Sequence, residues 1–223
     1  MSFISKKEVD AWDAEYSHVT WGGVLESSWI QKNLPKNAFL LDAGSGTGRY
    51  LKEFFFNYPC IGIDLSKNAL LRSLQDLGNA AEKKGCFSFP DHLVSNITDL
   101  PFEKSCFDGI LCLGVLQHLR FSDRLKTVFE FYRVLKTGGC VYFESFGESD
   151  MRCSTDFFPT ENSEERTFLR QNGLIYHYFN EEELKELFEE AGFITKEIQS
   201  LKKEKKYDGK SYIRHHYRAV FEK

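Results

Sequence analysis

A short apolar run that ends in an acid and passes directly into three alternate glycines constrains this chain most. The run at 38–41 predicts a buried strand; Asp42 follows, and Gly44, Gly46 and Gly48 precede a helical pattern. Glycine lets the backbone turn sharply and lets a ligand approach closely, because no Cβ stands in the way. The free amides at the start of the helix suit an electron-rich group. The stretch therefore predicts a nucleotide-type binding turn at the carboxyl end of a first strand.

The spacing of the glycines discriminates between ligands. The dinucleotide pattern G-x-G-x-x-G fails because the third glycine comes one residue early, and no lysine follows as a phosphate-binding loop requires. Asp42 would repel a pyrophosphate but would attract an ammonium or a sulfonium. A second predicted strand ends in Asp64, twenty residues after Gly44, where a carboxylate can accept hydrogen bonds from both ribose hydroxyls. A nucleoside joined to a cation describes S-adenosylmethionine.

With these residues the sequence resembles the class I S-adenosylmethionine-dependent methyltransferases, in their type 11 branch. The resemblance extends from about residue 39 to residue 146. It rests on five segments in the family's order and spacing, which are 41–48, 62–66, 100–108, 114–119 and 133–139.

The resemblance implies a cofactor site at the carboxyl ends of the first strands. Asp42 would hold the methionyl ammonium, and Asp64 the ribose hydroxyls, with Leu65 against the adenine face. Asn96 stands where the family commonly has an acid and would accept from the adenine amino group, while the Ile97 amide would meet a ring nitrogen. The other expected cofactor contacts are Gly44, Gly46, Gly48, Leu113 and Gly114.

The alternation of helical and strand patterns predicts an α/β fold in a single domain, 1–223. The expected architecture is a Rossmann-like, doubly wound, seven-stranded, mostly parallel sheet with an antiparallel last strand and helices on both faces. Ser66 and Asn180 are predicted helix caps, and Ser122 or Asp123 is expected to cap the helix after the fourth strand. That helix is expected to end at 137–139, before a fifth strand at 140–143.

Two segments outside the alternating pattern are expected to border the ligand. Residues 1–36 predict a helical cover over the sheet, with Tyr16 and Trp21 as candidates for lining the cofactor pocket. Residues 147–179 lack a clean period and leave from the carboxyl end of a strand. A connection of this length is typical of an insert or lid on the substrate side.

Two histidines are candidate catalytic residues, each with a structural alternative. His118 follows the fourth strand and would serve either as a general base or as a residue that orients the loop. His177 lies between two tyrosines at the end of the insert and would either face the acceptor or pack in a buried aromatic cluster. Glu144 and Arg152 are further candidates for contact with the acceptor.

The acceptor itself stays open between alternatives. The primary expectation is a small organic acceptor that is methylated by in-line displacement. An RNA base, such as a wobble uridine in tRNA, is the alternative, supported by a looser likeness at 176–181 and by a lysine-rich hairpin at 202–210. That hairpin is either a solvated sheet edge or a basic lobe beside the pocket. A catalytically silent S-adenosylmethionine-binding module is a third possibility.

Composition excludes several other classes of protein. A net charge of −4 provides no global basic field for nucleic acid. The six cysteines form no C-x-x-C pair, so neither a metal site nor a disulfide framework is expected. The first ten residues contain no apolar signal core, and no stretch approaches membrane-spanning length. A cytoplasmic protein without a membrane partner is therefore expected.

Overall fold

The central element of the computed structural model, which describes residues 6–18, 26–85, 89–153 and 161–223, is a seven-stranded sheet. Its strand order is β3-β2-β1-β4-β5-β10-β9. The first five strands along the chain pair in parallel, whereas β10 is antiparallel to both β5 and β9. The strands are β1 Leu40–Ala43, β2 Cys60–Asp64, β3 Asp91–Val94, β4 Phe107–Leu113, β5 Leu135–Phe146, β9 Ile194–Tyr207 and β10 Lys210–Glu222. The predicted doubly wound sheet is confirmed.

Helices pack on both faces of this sheet and bury two apolar clusters. Successive strand residues point to opposite faces, so Leu41 joins the cluster covered by the helices at 121–134 and 181–190, whereas Leu40 joins the cluster covered by the helices at 28–31, 51–54 and 67–83. The helices are α1 Lys6–His18, α2 Ser28–Gln31, α3 Leu51–Phe54, α4 Lys67–Lys83, α5 Phe121–Val134 and α6 Glu181–Glu190. The residues at the carboxyl ends of the strands lie between the two clusters.

The predicted boundaries hold at two helix caps and fail elsewhere. The Ser66 hydroxyl accepts from the Ala69 amide at 3.0 Å, and the Asn180 side chain accepts from the Glu183 amide at 2.8 Å, as predicted. The first strand is displaced along the chain, so that Asp42 lies within β1 rather than after it. The expected cap at Ser122 or Asp123 is wrong, because α5 already begins at Phe121.

The glycines at 138–139 belong to a strand and not to a helix end. Helix α5 stops at Val134, and β5 starts at Leu135. The Gly138 amide donates to the Lys223 carbonyl at 2.8 Å, and the Lys223 amide donates to the Gly139 carbonyl at 3.0 Å. Pairing with the end of β10 thus extends the strand through a segment whose local sequence favours a helix end.

The segment after β5 contains a small antiparallel sheet of its own. Its strands are β6 Glu161–Glu164, β7 Thr167–Leu169 and β8 Ile175–His177, in the order β6-β7-β8. The Phe179 amide returns to the main sheet by donating to the Phe146 carbonyl at 3.0 Å. This small sheet is therefore tied to the carboxyl end of β5.

Helix α1 lies across the carboxyl edge of the main sheet. The Ser66 hydroxyl donates to Asp13, and the Arg72 guanidinium donates to the carbonyl of Tyr16. The Trp12 ring meets His118 edge-on, with ring centroids 4.8 Å apart. No helix among the described segments has the length and apolar character needed to span a lipid bilayer.

Candidate cofactor and acceptor cleft

A cleft of about 280 Å³ opens between α1 and the carboxyl edge of the sheet. Its walls come from α1, the glycine turn after β1, the ends of β4 and β5, and β10. A ligand site at the carboxyl ends of parallel strands is where this topology leaves a crevice. The predicted site residues that line this cleft are Tyr16, Gly44, Gly46, Leu113, Gly114 and His118.

Backbone donors fix the glycine turn against the end of β2. The amides of Gly44 and Ser45 each donate to the Ile63 carbonyl at 2.8 Å. The Gly46 amide donates to the Asp64 carboxylate, also at 2.8 Å. The glycine turn and Asp64, which the sequence analysis identified separately, are therefore joined by hydrogen bonds.

The glycines of the turn keep the space beneath α1 open. Gly44 and Gly46 have φ angles of +79° and +53°, a region that residues with a Cβ rarely adopt. A Cβ on Gly46 would lie 2.6 Å from the Tyr16 hydroxyl oxygen, so a side chain there would fill the gap between turn and helix.

Gly46→Ala is expected to weaken S-adenosylmethionine binding by roughly tenfold or more, which corresponds to about 1.4 kcal/mol. The added methyl group would project towards Tyr16, into the space left for the ligand. Isothermal titration calorimetry of both proteins measures the change.

Gly85→Ala is the matched control for this substitution. Gly85 also has a positive φ, +63°, but a Cβ there would meet no atom within 4 Å. Both variants carry a similar backbone strain of about 1–2 kcal/mol, and only Gly46→Ala should lose affinity. Equal affinities of the two variants would contradict the placement of the ligand.

A smaller cavity of about 80 Å³ shares Trp12 and Tyr16 with the cleft and contains Asp64 and Leu65 in its wall. Asp64 is buried, and its second oxygen accepts from the Ser66 amide at 2.9 Å. Burial raises the pKa of Asp64 to about 6, although the amide donors oppose the shift. Each carboxylate oxygen can accept a further hydrogen bond, so this cavity fits the ribose of a nucleoside.

Asp42 lies behind the glycine turn with one carboxylate oxygen unsatisfied. The side chain is buried, and its Oδ2 has no hydrogen-bond partner in the described part of the chain. Burial, assisted by the charge of Asp64, raises the pKa of Asp42 to about 8. A buried, unpaired carboxylate is costly, and a nearby cation would offset that cost. Asp42 therefore fits the electrostatic part expected of it, although it does not line either cavity.

Four residues expected at the cofactor lie elsewhere or outside the description. A Cβ on Gly48 would overlap the Ser73 hydroxyl, so this glycine allows close packing of the turn on α4. Asn96 uses its side-chain oxygen to accept from the Thr98 amide at 3.0 Å, and the Ile97 side chain is buried in the core. Trp21 lies outside the described residues.

These three described positions, Gly48, Asn96 and Ile97, lie outside both cavities, and the contact expected of the Ile97 amide stays a prediction. The sequence pattern places each at the carboxyl edge of the sheet, but local packing and a local turn determine where each group points.

His118 lines both cavities, yet both of its ring nitrogens are engaged. Nδ1 lies 2.8 Å from the Ile175 carbonyl oxygen, to which it donates. Nε2 then accepts from the side-chain amide of Gln117 at 3.2 Å. The Gln117 oxygen in turn accepts from the Phe146 amide at 3.0 Å, which fixes the orientation of the Gln117 amide. Burial lowers the pKa of His118 to about 4, so the ring is neutral and a weak base at pH 7.

His177 is not at the cleft, and the prediction that it faces the acceptor is wrong. Its Nδ1 lies 2.7 Å from the Thr167 hydroxyl and its Nε2 lies 2.9 Å from the Glu183 carboxylate. The ring meets Phe179 edge-on at 4.5 Å. His177 thus joins the small sheet to α6, which is the structural alternative that the sequence left open.

The far side of the cleft from Asp64 is lined by charged side chains. The buried Asp150 carboxylate accepts from Arg152 Nε at 2.8 Å and from Arg214 Nε at 2.9 Å. The Arg152 guanidinium stacks 4.0 Å above the Phe146 ring centroid, and its buried Nη2 has no partner among the described residues. Two cations, Arg152 and Arg214, therefore line this end of the cleft.

Glu144 is the acid of this end of the cleft. Its carboxylate accepts from Arg218 Nε at 2.7 Å and lies 3.8 Å from His216 Nδ1. These partners outweigh burial and lower the pKa of Glu144, so it is ionised at neutral pH. The sequence had suggested Glu144 and Arg152, but Arg214 and His216 were not identified. Both residues lie on the same face of β10 because they are two positions apart. That this face borders the cleft follows only from the register of β10 with β5 and β9.

Comparisons with known proteins agree with this geometry. A family described as a methyltransferase domain, of type 11, matches residues 41–143. A SAM-dependent methyltransferase from Methanosarcina mazei has the same fold, with a TM-score of 0.72 and 23% identity over 90% of this chain and 99% of that chain. Within the described residues, no group of three His, Cys, Asp or Glu side chains is arranged to hold a metal ion.

Several sequence relatives carry names that mention tRNA. A tRNA (carboxymethyluridine(34)-5-O)-methyltransferase from Arabidopsis thaliana is 33% identical over 49% of this chain and 24% of its own length. A tRNA N(3)-methylcytidine methyltransferase, Mettl2, from Drosophila melanogaster is 26% identical over 74% of this chain and 50% of its own length. The chain thus spans half or less of the length of these two relatives.

The family match covers the glycine turn, Asp64 and the strands that carry them, and the fold, the turn and the cavity beside Asp64 fit the cofactor that this family uses. Residues 41–143 therefore match the type 11 methyltransferase domain, and the chain is similar in fold to S-adenosylmethionine-dependent methyltransferases.

Proposed function

We propose that this chain transfers the methyl group of S-adenosylmethionine to an acceptor that carries a negatively charged group. The observation that supports this most is the composition of the cleft. One end has the glycine turn with the Asp64 cavity, and the other end has Arg152 and Arg214. A nucleoside site that opens onto an anion site suits a transfer between the two.

The cofactor, when bound, supplies an electrophilic methyl group attached to a sulfonium. Asp64 would hold the ribose, Gly44 and Gly46 would leave room for the methionyl part, and Asp42 would balance its charge. Trp12 and Tyr16 border both cavities and would exclude water from the reaction. The chain's task is then to position the acceptor's nucleophilic atom.

The cleft offers no strong general base among its described residues. His118 is neutral, with both nitrogens engaged, so it would position the loop rather than act as a base. Glu144 is ionised and can accept a hydrogen bond from an N–H or O–H group of the acceptor. This combination suits an acceptor atom that is already nucleophilic or that loses its proton easily.

Arg152→Met is expected to lower kcat/KM roughly 10- to 100-fold, because a charge-assisted hydrogen bond contributes about 1.5–3 kcal/mol. S-adenosylmethionine affinity should stay within about twofold, since Arg152 lies at the acceptor end. The assay follows label from methyl-tritiated S-adenosylmethionine into unfractionated tRNA and, separately, into a mixture of small carboxylic acids. Calorimetry measures the cofactor affinity.

Arg166→Met is the matched control, because Arg166 and Arg152 side chains are both 21% exposed and both pair with a carboxylate, but Arg166 lies outside the cleft. A similar loss of turnover in both variants would contradict an anion site at Arg152. Cofactor binding without label transfer to either class of acceptor would favour the silent module.

The two acceptor classes correspond to the two expectations from the sequence. A small organic acid would need only the arginines of the cleft. An RNA base would bring its own phosphates and needs a wider basic surface. The names of the two tRNA methyltransferase relatives support the second class, and so does the hairpin of β9 and β10.

A further inference from the structure

Strands β9 and β10 continue past the edge of the main sheet as a two-stranded ribbon. Pairing of β10 with β5 ends at His216 opposite Phe146. Pairing of β10 with β9 continues without a bulge to Lys210 opposite Tyr207. We name residues 202–214 the basic arm; they hold six Lys and Arg residues and two acids in a chain whose net charge is −4. The arm extends roughly 20 Å beyond the last β5 pair, at about 3.4 Å per residue.

The positive charge of the basic arm is concentrated on one face. Residues opposite each other in an antiparallel ladder point the same way, and neighbours along a strand point to opposite faces. The register pairs Lys203 with Arg214, Lys205 with Tyr212, and Tyr207 with Lys210. We call these six residues the cleft face of the arm. It holds four cations, two tyrosines and no acid.

The opposite face of the arm has a different composition. Its pairs are Lys202 with His215, Glu204 with Ile213, and Lys206 with Ser211. Two lysines there are accompanied by an acid and by an apolar residue. The two faces therefore carry unequal charge although they belong to the same hairpin.

The cleft face of the arm is continuous with the acceptor end of the cleft. Arg214 belongs to both, because it lines the cleft and is anchored there by Asp150. His216 and Arg218 follow on the same side of β10, where His216 lines the cleft and Arg218 contacts Glu144. A chain of cations thus leads from the acceptor end outwards.

The cleft face brings like charges together without an acid among its six residues. Lys203 lies directly opposite Arg214, and like charges at such positions repel. Residues 201–211 are all exposed, so packing contributes little to the arm's stability. A solvated edge would be served equally by mixed charges. A bound polyanion would turn the repulsion into attraction.

We propose that the cleft face of the basic arm binds the phosphate backbone of a single-stranded RNA loop whose base enters the cleft. The proposal rests on the proposed function and names the class of its acceptor. Lysines two apart on a strand lie about 7 Å from each other, which suits contacts to successive phosphates. Tyr207 is half exposed, and its ring lies 6.0 Å from that of Tyr212.

The tyrosines favour RNA over other anionic partners. Bases of single strands and loops stack on aromatic side chains, whereas paired bases in a duplex are not available. An anionic membrane or an acidic peptide would use the lysines, whereas a single-stranded nucleic acid offers both phosphates for the lysines and unpaired bases that stack on the tyrosines. Charge and aromatic rings on the same face therefore point to a nucleic acid with unpaired bases.

The test compares two double variants with the same change in charge. Lys203→Gln with Lys205→Gln alters the cleft face, and Lys202→Gln with Lys206→Gln alters the opposite face. Fluorescence anisotropy measures binding of unfractionated, end-labelled tRNA at several salt concentrations. The cleft-face variant is expected to bind at least about tenfold more weakly at 0.15 M salt. Its salt slope should fall by roughly 1.4, because each contact to a single strand contributes about 0.7.

The opposite-face variant should lose less than about threefold. The proposal would be overturned if both variants lost the same affinity. It would also be overturned if the unaltered chain did not bind tRNA at 0.15 M salt. The proposal would also be overturned if the unaltered chain bound phosphatidylserine vesicles as tightly as it binds tRNA and lost both to the same extent in the cleft-face variant.

Calorimetry with S-adenosylmethionine on the same proteins separates the two proposals. If the chain binds the cofactor normally and transfers label to small acids but does not bind tRNA, the RNA-binding proposal fails and the proposed function stands. Binding of tRNA without cofactor binding would remove the proposed function and leave the arm as an RNA-binding surface.

Discussion

Replacing Asp64 by Ala is expected to weaken S-adenosylmethionine binding about 100-fold or more. The carboxylate would accept hydrogen bonds from two ribose hydroxyls, each contributing about 1.5–3 kcal/mol when the acceptor is charged, and about 1.4 kcal/mol corresponds to a tenfold change. The substitution also removes the acceptor of the Gly46 and Ser66 amides, which fixes the turn. Calorimetry with S-adenosylmethionine and with S-adenosylhomocysteine measures the loss.

Asp108→Ala is the matched control, at the opposite edge of the same sheet. The Asp108 carboxylate also accepts from a backbone amide, that of Phe39 at 2.9 Å, and it pairs with Lys136. Both variants lose an anchor of β1, so both should unfold at a lower temperature. Only Asp64→Ala should lose cofactor affinity. If Asp108→Ala bound the cofactor as poorly, Asp64 would be a structural residue and not a ligand contact.

The main features of the fold follow from local sequence because each strand is marked by its own residues. The turn and Asp64 were predicted from glycine spacing and from an acid at the end of a strand, and the structure joins them through the Gly46 amide. The caps at Ser66 and Asn180 were predicted because a side-chain oxygen at that position satisfies a free amide. Such short-range chemistry is visible in the sequence.

Side-chain direction depends on tertiary packing and is not visible in the sequence. Gly48 has the same spacing as Gly44, yet it faces Ser73 and not the cleft. His177 lies between two tyrosines in the sequence, but its Nδ1 pairs with Thr167 and its Nε2 lies close to the Glu183 carboxylate. These contacts depend on how α4, α6 and the small sheet pack against their neighbours. A local sequence pattern does not predict that packing.

The acceptor end of the cleft depends on register across a long distance in sequence. Arg152 and Arg214 meet at Asp150, although Arg214 belongs to the last strand. The lysines of the hairpin were visible as a run, but their division between two faces follows only from the pairing of β9 with β10. The sequence therefore predicts the glycine-turn end of the cleft better than the arginine end.

The two acids beside the glycine turn are expected to link ligand binding to pH. Burial raises the pKa of Asp42 to about 8 and that of Asp64 to about 6. The folded, ligand-free chain consequently binds more protons than the unfolded chain between pH 4 and pH 8. Its stability is therefore expected to fall as pH rises through this window. A cation beside Asp42 would favour the carboxylate and lower its pKa again.

S-adenosylmethionine affinity is accordingly expected to rise roughly 20-fold between pH 6 and pH 7.5, with nearly one proton released on binding at pH 6.5. The factor is the ratio of ionised Asp42 at the two pH values for a pKa of about 8. Calorimetry in two buffers of different ionisation enthalpy gives both the affinity and the number of protons released.

Asp42→Asn separates this linkage from the titration of the cofactor. The variant should bind weakly at pH 7.5 and should lose most of the pH dependence, because the remaining part, from Asp64, is largely complete by pH 7. The cofactor's own α-amino group titrates near pH 8 and would weaken binding above that value in both proteins. Affinity in the unaltered chain that is flat from pH 6 to 7.5 would mean that Asp42 is already ionised or that no cation comes near it. The first result would show that burial does not keep Asp42 protonated, and the second would remove the electrostatic basis for seating a sulfonium and an ammonium beside the glycine turn.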